Sequence, residues 1–292
     1  MAIDGVSVFY TTGDGMRLHA VDYRAGPAGA LPLICLPGVS RNARDFIHLA
    51  RHVAGHRDHP RRVIAFDYRG RGLSEWDWDW RSYNILTEAE DILAGMAALG
   101  VRHAAIVGTS RGGLLAMALA ALRPSVLRGV VLNDSGPVIE GNGIARIAAH
   151  LTKLPRPHDW AHAIEIQKAF MQKQFPAFSD ADWECEARSR YREINGTILP
   201  DHDPALVNTM TSLDLSVPLP TMWPQFDGLR RLPVMVLRGE HSDILSTGTV
   251  EKMAERHDRL EVVEVAGQGH APLLHSGDLP ETVAAFLARI PA

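Results

Sequence analysis

Six short runs of mostly apolar residues constrain the fold of this chain more than any other feature. They are Leu31–Leu36, Arg62–Phe66, Ala104–Val107, Val130–Leu132, Pro233–Leu237 and Leu260–Val265. Each is bounded by turn residues and too short for a helix. Runs of this kind suit strands covered on both faces, and therefore a parallel sheet between layers of helices. Val6–Thr11 and Met16–Tyr23 flank Gly13-Asp14-Gly15 and predict an opening hairpin, which brings the expected sheet to eight strands. Helical spacing fills the gaps. Thr87-Glu88-Ala89-Glu90 has the form of a capping box before Ile92, Leu93, Met96 and Leu99, with Gly100 as the stop. Asp278 and Glu281 suggest a second box before Val283, Phe286, Leu287 and Ile290.

The alternation breaks between Pro137 and Asp227. Ile144–Leu151, Trp160–Phe175 and Asp180–Tyr191 read as helices, and no strand pattern is evident among them. The expected organisation is one sheet domain with an all-helical insertion: core 1–136, insertion 137–227 and returning core 228–292. A length of 292 residues accommodates this, at roughly 150 residues per compact unit. The balance of 46% apolar to 22% charged residues excludes a disordered chain, a coiled coil or a collagen-like fibre. A net charge of −4 gives no reason to expect nucleic acid as a partner. No run approaches the ~20 apolar residues of a membrane span. Cys35 and Cys185 cannot build a disulfide scaffold, and Met1–Tyr10 lacks a basic stretch ahead of an apolar one, so a cytoplasmic protein is expected.

One apolar run leads into chemistry. Ala105-Ile106-Val107 is followed by Gly108-Thr109-Ser110-Arg111-Gly112 and then by the helical run Leu114–Leu122. Gly-x-Ser-x-Gly between a strand and a helix places the serine on a sharp turn whose flanking positions must lack bulk. Four further segments occur at strand ends: Leu36-Pro37-Gly38-Val39, Asp67-Tyr68-Arg69-Gly70-Arg71-Gly72-Leu73-Ser74, Arg238-Gly239-Glu240-His241-Ser242-Asp243 and Gly267-Gln268-Gly269-His270-Ala271-Pro272. Together, in this order, the five resemble the α/β-hydrolase superfamily, in its capped serine-hydrolase, esterase- or lactonase-like branch. The resemblance covers nearly the whole chain and implies an α/β fold with an eight-stranded, mostly parallel sheet and an inserted helical cap.

The resemblance assigns Ser110 as nucleophile, His270 as base and Asp243 as the acid orienting it, in the family's chain order. A serine hydroxyl needs a base to take its proton during attack, and a neutral imidazole can do so. The resemblance also assigns the oxyanion hole to the backbone N–H groups of Val39 and Arg111. Asp134, in Leu132-Asn133-Asp134-Ser135-Gly136-Pro137, is the rival acid, because some family members carry theirs after the sixth strand. Asp243 is preferred for its more complete motif, leaving Asp134 as a turn residue. Arg111 departs from the apolar or amide residue common after the nucleophile, and a cation opposes the helix dipole there. An internal carboxylate partner is expected for it, with an anionic substrate group as the alternative. His48, His52 and His56 share a helix face, but no carboxylate or cysteine completes a metal set in the sequence, so a solvated face and no metal are expected.

Serine at the turn, where dehalogenases and epoxide hydrolases of this superfamily use aspartate, suits acyl transfer to water without a cofactor. The expected activity is hydrolysis of a small, largely apolar carboxylic ester or lactone through an acyl-enzyme. Carbon–carbon bond hydrolysis, acyl transfer or perhydrolysis on the same residues are alternatives, as is a non-enzymatic ligand receptor. The tryptophans fall after the fourth strand and in the insertion. From this, Trp76, Trp78, Trp80, Trp183, Met210 and Trp223 are expected to contact substrate, with Phe170, Met171 and Met222 as further cap candidates.

Overall fold

The structure is a computed structural model that describes residues 4–153 and 155–291. The reading of the first ten residues as lacking a leader's character therefore rests partly on positions 1–3, which lie outside the described residues. Among the described residues, ten strands and ten α-helices follow in chain order: β1 Val6–Thr11, β2 Arg17–Tyr23, β3 Leu33–Leu36, α1 Ile47–Ala54, β4 Val63–Asp67, α2 Ile85–Ala98, β5 Ala104–Thr109, α3 Arg111–Leu122, β6 Leu127–Asn133, α4 Gly141–Lys153, α5 Trp160–Met171, α6 Asp180–Arg190, β7 Tyr191–Ile194, β8 Thr197–Pro200, α7 Asn208–Thr211, α8 Trp223–Asp227, β9 Val234–Gly239, α9 Thr247–Arg256, β10 Leu260–Val265 and α10 Leu279–Ala288.

Eight strands form one sheet in the order β1-β2-β4-β3-β5-β6-β9-β10. Only β2 runs against its neighbours; β4, β3, β5, β6, β9 and β10 are parallel. The central strands are buried along almost their whole length, as continuous apolar runs require. One face packs on Ile92, Leu115 and Leu119 of α2 and α3, and the other on Leu49, Val53, Val283 and Leu287 of α1 and α10. Each such side chain stabilises the fold by roughly 1.5–3 kcal/mol on burial. β10 differs from the expectation. It is the sheet edge, and Glu261 and Glu264 keep it largely exposed.

Both expected capping boxes are replaced by other bonds. Asn84 caps α2 by accepting from the N–H groups of Leu86 and Thr87, which starts the helix before Thr87, and Glu88 is drawn inward to Arg71 and Arg111. At α10, Asp278 makes no side-chain cap and Glu281 turns to His52. The segment between β6 and β9 is not all helical, since β7 and β8 pair as an antiparallel hairpin within it. Asn195-Gly196, both at positive φ (50° and 77°), forms its tip, a turn signal that helical periodicity on either side obscured. Arg41, Asn42 and Arg44, in the loop after β3, bind this segment to the sheet domain through Glu186, the carbonyls of Ser189 and Tyr191, and Asp201.

Candidate active site

The site is built where the parallel strands end. Ser110 stands between β5 and α3 at φ 52° and ψ −111°, a conformation disfavoured for a residue with a Cβ. Its neighbours explain the motif. A Cβ on Gly108 would lie 2.4 Å from the Gly112 carbonyl carbon, and one on Gly112 would lie 2.0 Å from the Leu36 carbonyl oxygen. The turn closes only because both positions are bare.

His270, in the loop after β10, lies 2.8 Å through Nε2 from Ser110 Oγ. Its Nδ1 lies 2.7 Å from Asp134 Oδ2. The acid beside the histidine is therefore Asp134, immediately after β6, and the expectation of Asp243 is corrected. Asp134 is fully buried and held at φ 50°. Its Oδ1 accepts from the Gly239 N–H at 2.9 Å, and its Oδ2 accepts from the Ser242 hydroxyl at 2.6 Å. The end of β9 and the turn after it thus contribute donors to the acid instead of being the acid. Asp243 makes no bond to His270 and is held instead in a bidentate pair with Arg146 of α4 at 2.6 and 2.8 Å. Burial alone would raise the Asp243 carboxyl, but the Arg146 bonds outweigh it and hold the group below its usual range.

The loop after β3 closes against the serine, with a Cβ built on Gly38 falling 3.9 Å from Ser110 Cβ. Val39 and Ser110 line one cavity together with His270. Arg111 is the first residue of α3, so its N–H has no acceptor within the helix and sits at the positive end of the dipole. Two buried side chains hold the loop from behind. The Tyr68 hydroxyl donates to the Pro37 carbonyl at 3.0 Å, and Arg71 Nε donates to the Val39 carbonyl at 2.8 Å. Both belong to the segment after β4, to which sequence reading assigned no role in the site. Any signal lay in the oddity of an arginine-rich motif directly behind a buried strand.

The Arg111 guanidinium points away from the cavity. Its Nε donates to Glu88 at 2.6 Å and its Nη2 to the Tyr83 carbonyl at 2.8 Å. The internal carboxylate expected for it is Glu88, which Arg71 also pairs.

None of the six residues expected at the substrate lines the cavity. Trp76 and Trp78 are 52% and 99% exposed. Asp77 between them turns inward to Arg69, at 3.1 Å, and the alternating tryptophans consequently face solvent. Trp80 is half-buried under the Arg81 guanidinium, and Trp223 packs on Phe226 and the main core. Trp183 and Met210 act from behind, Trp183 against Met171 and Phe175, and Met210 against Val39. Of the further candidates, Met171 alone reaches the wall. The wall instead mixes Met171, Phe175 and Leu274 with Arg41, Arg44, Arg146 and Arg190. Sequence reading missed these arginines because nothing in their spacing marks them; three elements far apart in the chain bring them together.

His52, His56 and Glu281 place ligand atoms within 4.8 Å of one another, so the fold supplies the carboxylate that the sequence pattern lacked. However, His56 Nδ1 accepts the backbone N–H groups of Asp58 and His59, at 3.3 and 3.1 Å. That puts the neutral ring's proton on Nε2, which faces Glu281 as a donor and presents no lone pair to a metal. His48 turns elsewhere, toward His275.

A serine and a buried acid on the two sides of one histidine, at the carboxyl ends of parallel strands, define the class. The family model for the alpha/beta hydrolase fold matches residues 32–276, and the chain belongs to that family. It is 32% identical over 272 residues to a 3-hydroxybutyrate-oligomer hydrolase of Cupriavidus necator, covering 87% of this chain and 88% of that protein. It is 28% identical over 209 residues to a 2-(acetamidomethylene)succinate hydrolase of Mesorhizobium japonicum, covering 71% of each. The crystal structure of an alpha/beta hydrolase from Novosphingobium aromaticivorans superposes with a TM-score of 0.89 at 34% identity, over 99% of this chain and all of the other. No helix among the described residues is long and apolar enough to cross a membrane.

Proposed function

We propose that this protein is a serine hydrolase that cleaves a small carboxylic ester or lactone through an acyl-enzyme. The observation that carries the reading is His270 bonded on both nitrogens, to Ser110 Oγ and to Asp134. Ser110 Oγ attacks the carbonyl carbon while Nε2 takes its proton. Asp134 fixes the Nδ1–H tautomer and stabilises the imidazolium that results. The tetrahedral oxygen is received by the Val39 and Arg111 N–H groups, each worth about 2.7–4 kcal/mol of barrier in comparable sites. His270 then protonates the departing alkoxide. A water, deprotonated by the same nitrogen, attacks the acyl-enzyme, and the acid leaves as Ser110 recovers its proton.

The mixed wall of the cavity favours a substrate with polar as well as apolar parts, in place of the largely apolar one expected from the tryptophans. The relative from Cupriavidus necator is named for 3-hydroxybutyrate oligomers, so an oligoester of a short hydroxy acid is the first substrate to try. The test is labelling by a fluorophosphonate probe together with turnover of 4-nitrophenyl esters and lactones of graded length. Labelling and turnover that both vanish in Ser110→Ala support the reading. Ligand binding without turnover of any ester or lactone would replace it with a receptor of the same fold.

A further inference from the structure

The arginines of the cavity wall are not equally occupied. Arg41 gives its Nε and both terminal nitrogens to Asp45, Glu186 and Ser189, and Arg146 is committed to Asp243. Arg44 gives Nη2 to the Ser189 and Tyr191 carbonyls and to Asp201, and its buried Nε lacks a partner among the described residues. Arg190, the last residue of α6, gives Nε to Glu186 Oε1 at 2.6 Å. Its Nη2 meets only the Met171 sulfur, at 3.6 Å, and its Nη1 bonds no described residue. A thioether is a weak acceptor, so most of this guanidinium's donor capacity is unspent. Glu186 does not take it up: its Oε1 accepts from Arg41 and from Arg190 Nε, its Oε2 accepts from Arg41, and neither bonds an Arg190 Nη group.

A second incomplete group shares the wall. His150 of α4 is 6% exposed, and its buried Nε2 has no partner among the described residues. Native proteins rarely leave such an atom unsatisfied without a ligand or water to meet it. Burial and the neighbouring Arg190 hold this imidazole neutral, its pKa brought down to about 3, so it offers one hydrogen bond without adding charge. A planar anion with two oxygens would engage a guanidinium in the geometry that arginine prefers.

We propose that Arg190, assisted by His150, receives a free carboxylate of the substrate, remote from the bond being cut. The enzyme then selects esters that carry a carboxyl group, such as hydroxy-acid esters and half-esters of dicarboxylic acids, over their neutral counterparts. This rests on the ester-hydrolase reading and adds the substrate class to it.

The test uses a matched pair, 4-nitrophenyl hydrogen glutarate and its methyl ester. The wild-type kcat/KM favours the acid by about tenfold or more, the range of one charge-assisted bond. Arg190→Gln brings the ratio close to one, whereas Arg192→Gln, outside the cavity wall, keeps it. A wild-type ratio near one overturns the proposal, and so does a parallel fall for both esters in Arg190→Gln, which would mark a structural role. Should that variant fail to fold, glutarate must slow fluorophosphonate labelling of wild-type Ser110 while dimethyl glutarate does not; equal labelling rates overturn the proposal. Absence of both labelling and turnover is a different outcome, which removes the hydrolase reading itself and this one with it.

Discussion

Ser242 Oγ donates to Asp134 Oδ2 at 2.6 Å across 108 positions of sequence. The same oxygen faces His270 Nδ1, so two strand ends serve one acid: the carboxylate follows β6, and the end of β9 with the turn after it supplies hydrogen bonds through Gly239 and Ser242. Asp134→Asn keeps the volume but lets an amide N–H face Nδ1, which favours the wrong tautomer. We expect kcat to fall by about 10³–10⁴-fold with the fold intact. Asp243→Asn breaks a pair that is 30% and 29% exposed, which costs little, and kcat should change by less than about fivefold. Steady-state kinetics on both variants decides between them, and a larger loss in Asp243→Asn would return the acid to the turn after β9.

Ser242→Ala removes one donor from a fully buried carboxylate, and the acceptor of the Ile244 and Leu245 N–H groups, without touching the histidine. Loss of a bond to a buried charge costs about 1.5–3 kcal/mol. Urea unfolding should report that destabilisation at neutral pH. Restoration by Ser242→Thr, which keeps the hydroxyl, is expected; no recovery would mean that packing, not the hydrogen bond, matters at this position.

Tyr68→Phe deletes the hydroxyl that holds the Pro37 carbonyl while leaving the buried ring in place. The loop that carries the Val39 N–H then loses one of its two rear supports, the other being Arg71. Small misplacements of such donors are felt in the transition state more than in substrate binding. We expect kcat to fall by about five- to tenfold, the value of one hydrogen bond of ~1 kcal/mol, with KM nearly constant. A change confined to KM would place Tyr68 in substrate binding instead.

The parts of this molecule that were legible in sequence are those fixed by local pattern. Buried runs such as Leu33–Leu36 and residues 234–237 announce parallel strands because short unbroken apolar runs between turn residues suit strands covered on both faces. Gly108 and Gly112 announce the serine turn because any Cβ there would strike backbone. Asp134 against Asp243 was not decidable that way. Both aspartates follow parallel strands, and the outcome depends on where Ser242 and Arg146 direct their bonds, which is a matter of tertiary structure. The tryptophans misled for a related reason. Abundance in a loop says nothing of which face the loop presents, and the Arg69–Asp77 pair decides that. The β7–β8 hairpin was hidden because its strands, unlike the equally short β3, mix polar with apolar residues and are partly exposed, so no apolar run marks them.

His150 gives the fold a dependence on pH whose sign can be worked out. Burial first, and the Arg190 charge next, depress its pKa to about 3, against an ordinary value of 6.5. Between those limits the unfolded chain holds a proton on this imidazole that the folded chain does not. Stability therefore rises with pH across the window, and as pH drops from about 6.5 this residue withdraws stability by up to ~1.4 kcal/mol per pH unit. His150→Gln cannot take up the proton in either state. Urea unfolding of wild type and variant at intervals from pH 7 to pH 4 should give curves that diverge below about pH 6.5, with the variant losing stability more slowly. Carboxylates such as Glu186, whose pKa its arginine partners hold down at about 2 despite burial, contribute to both curves alike and cancel in the difference. Curves that stay parallel throughout would show that His150 accepts a proton in the folded state, and that the cavity wall is wetter than its burial implies.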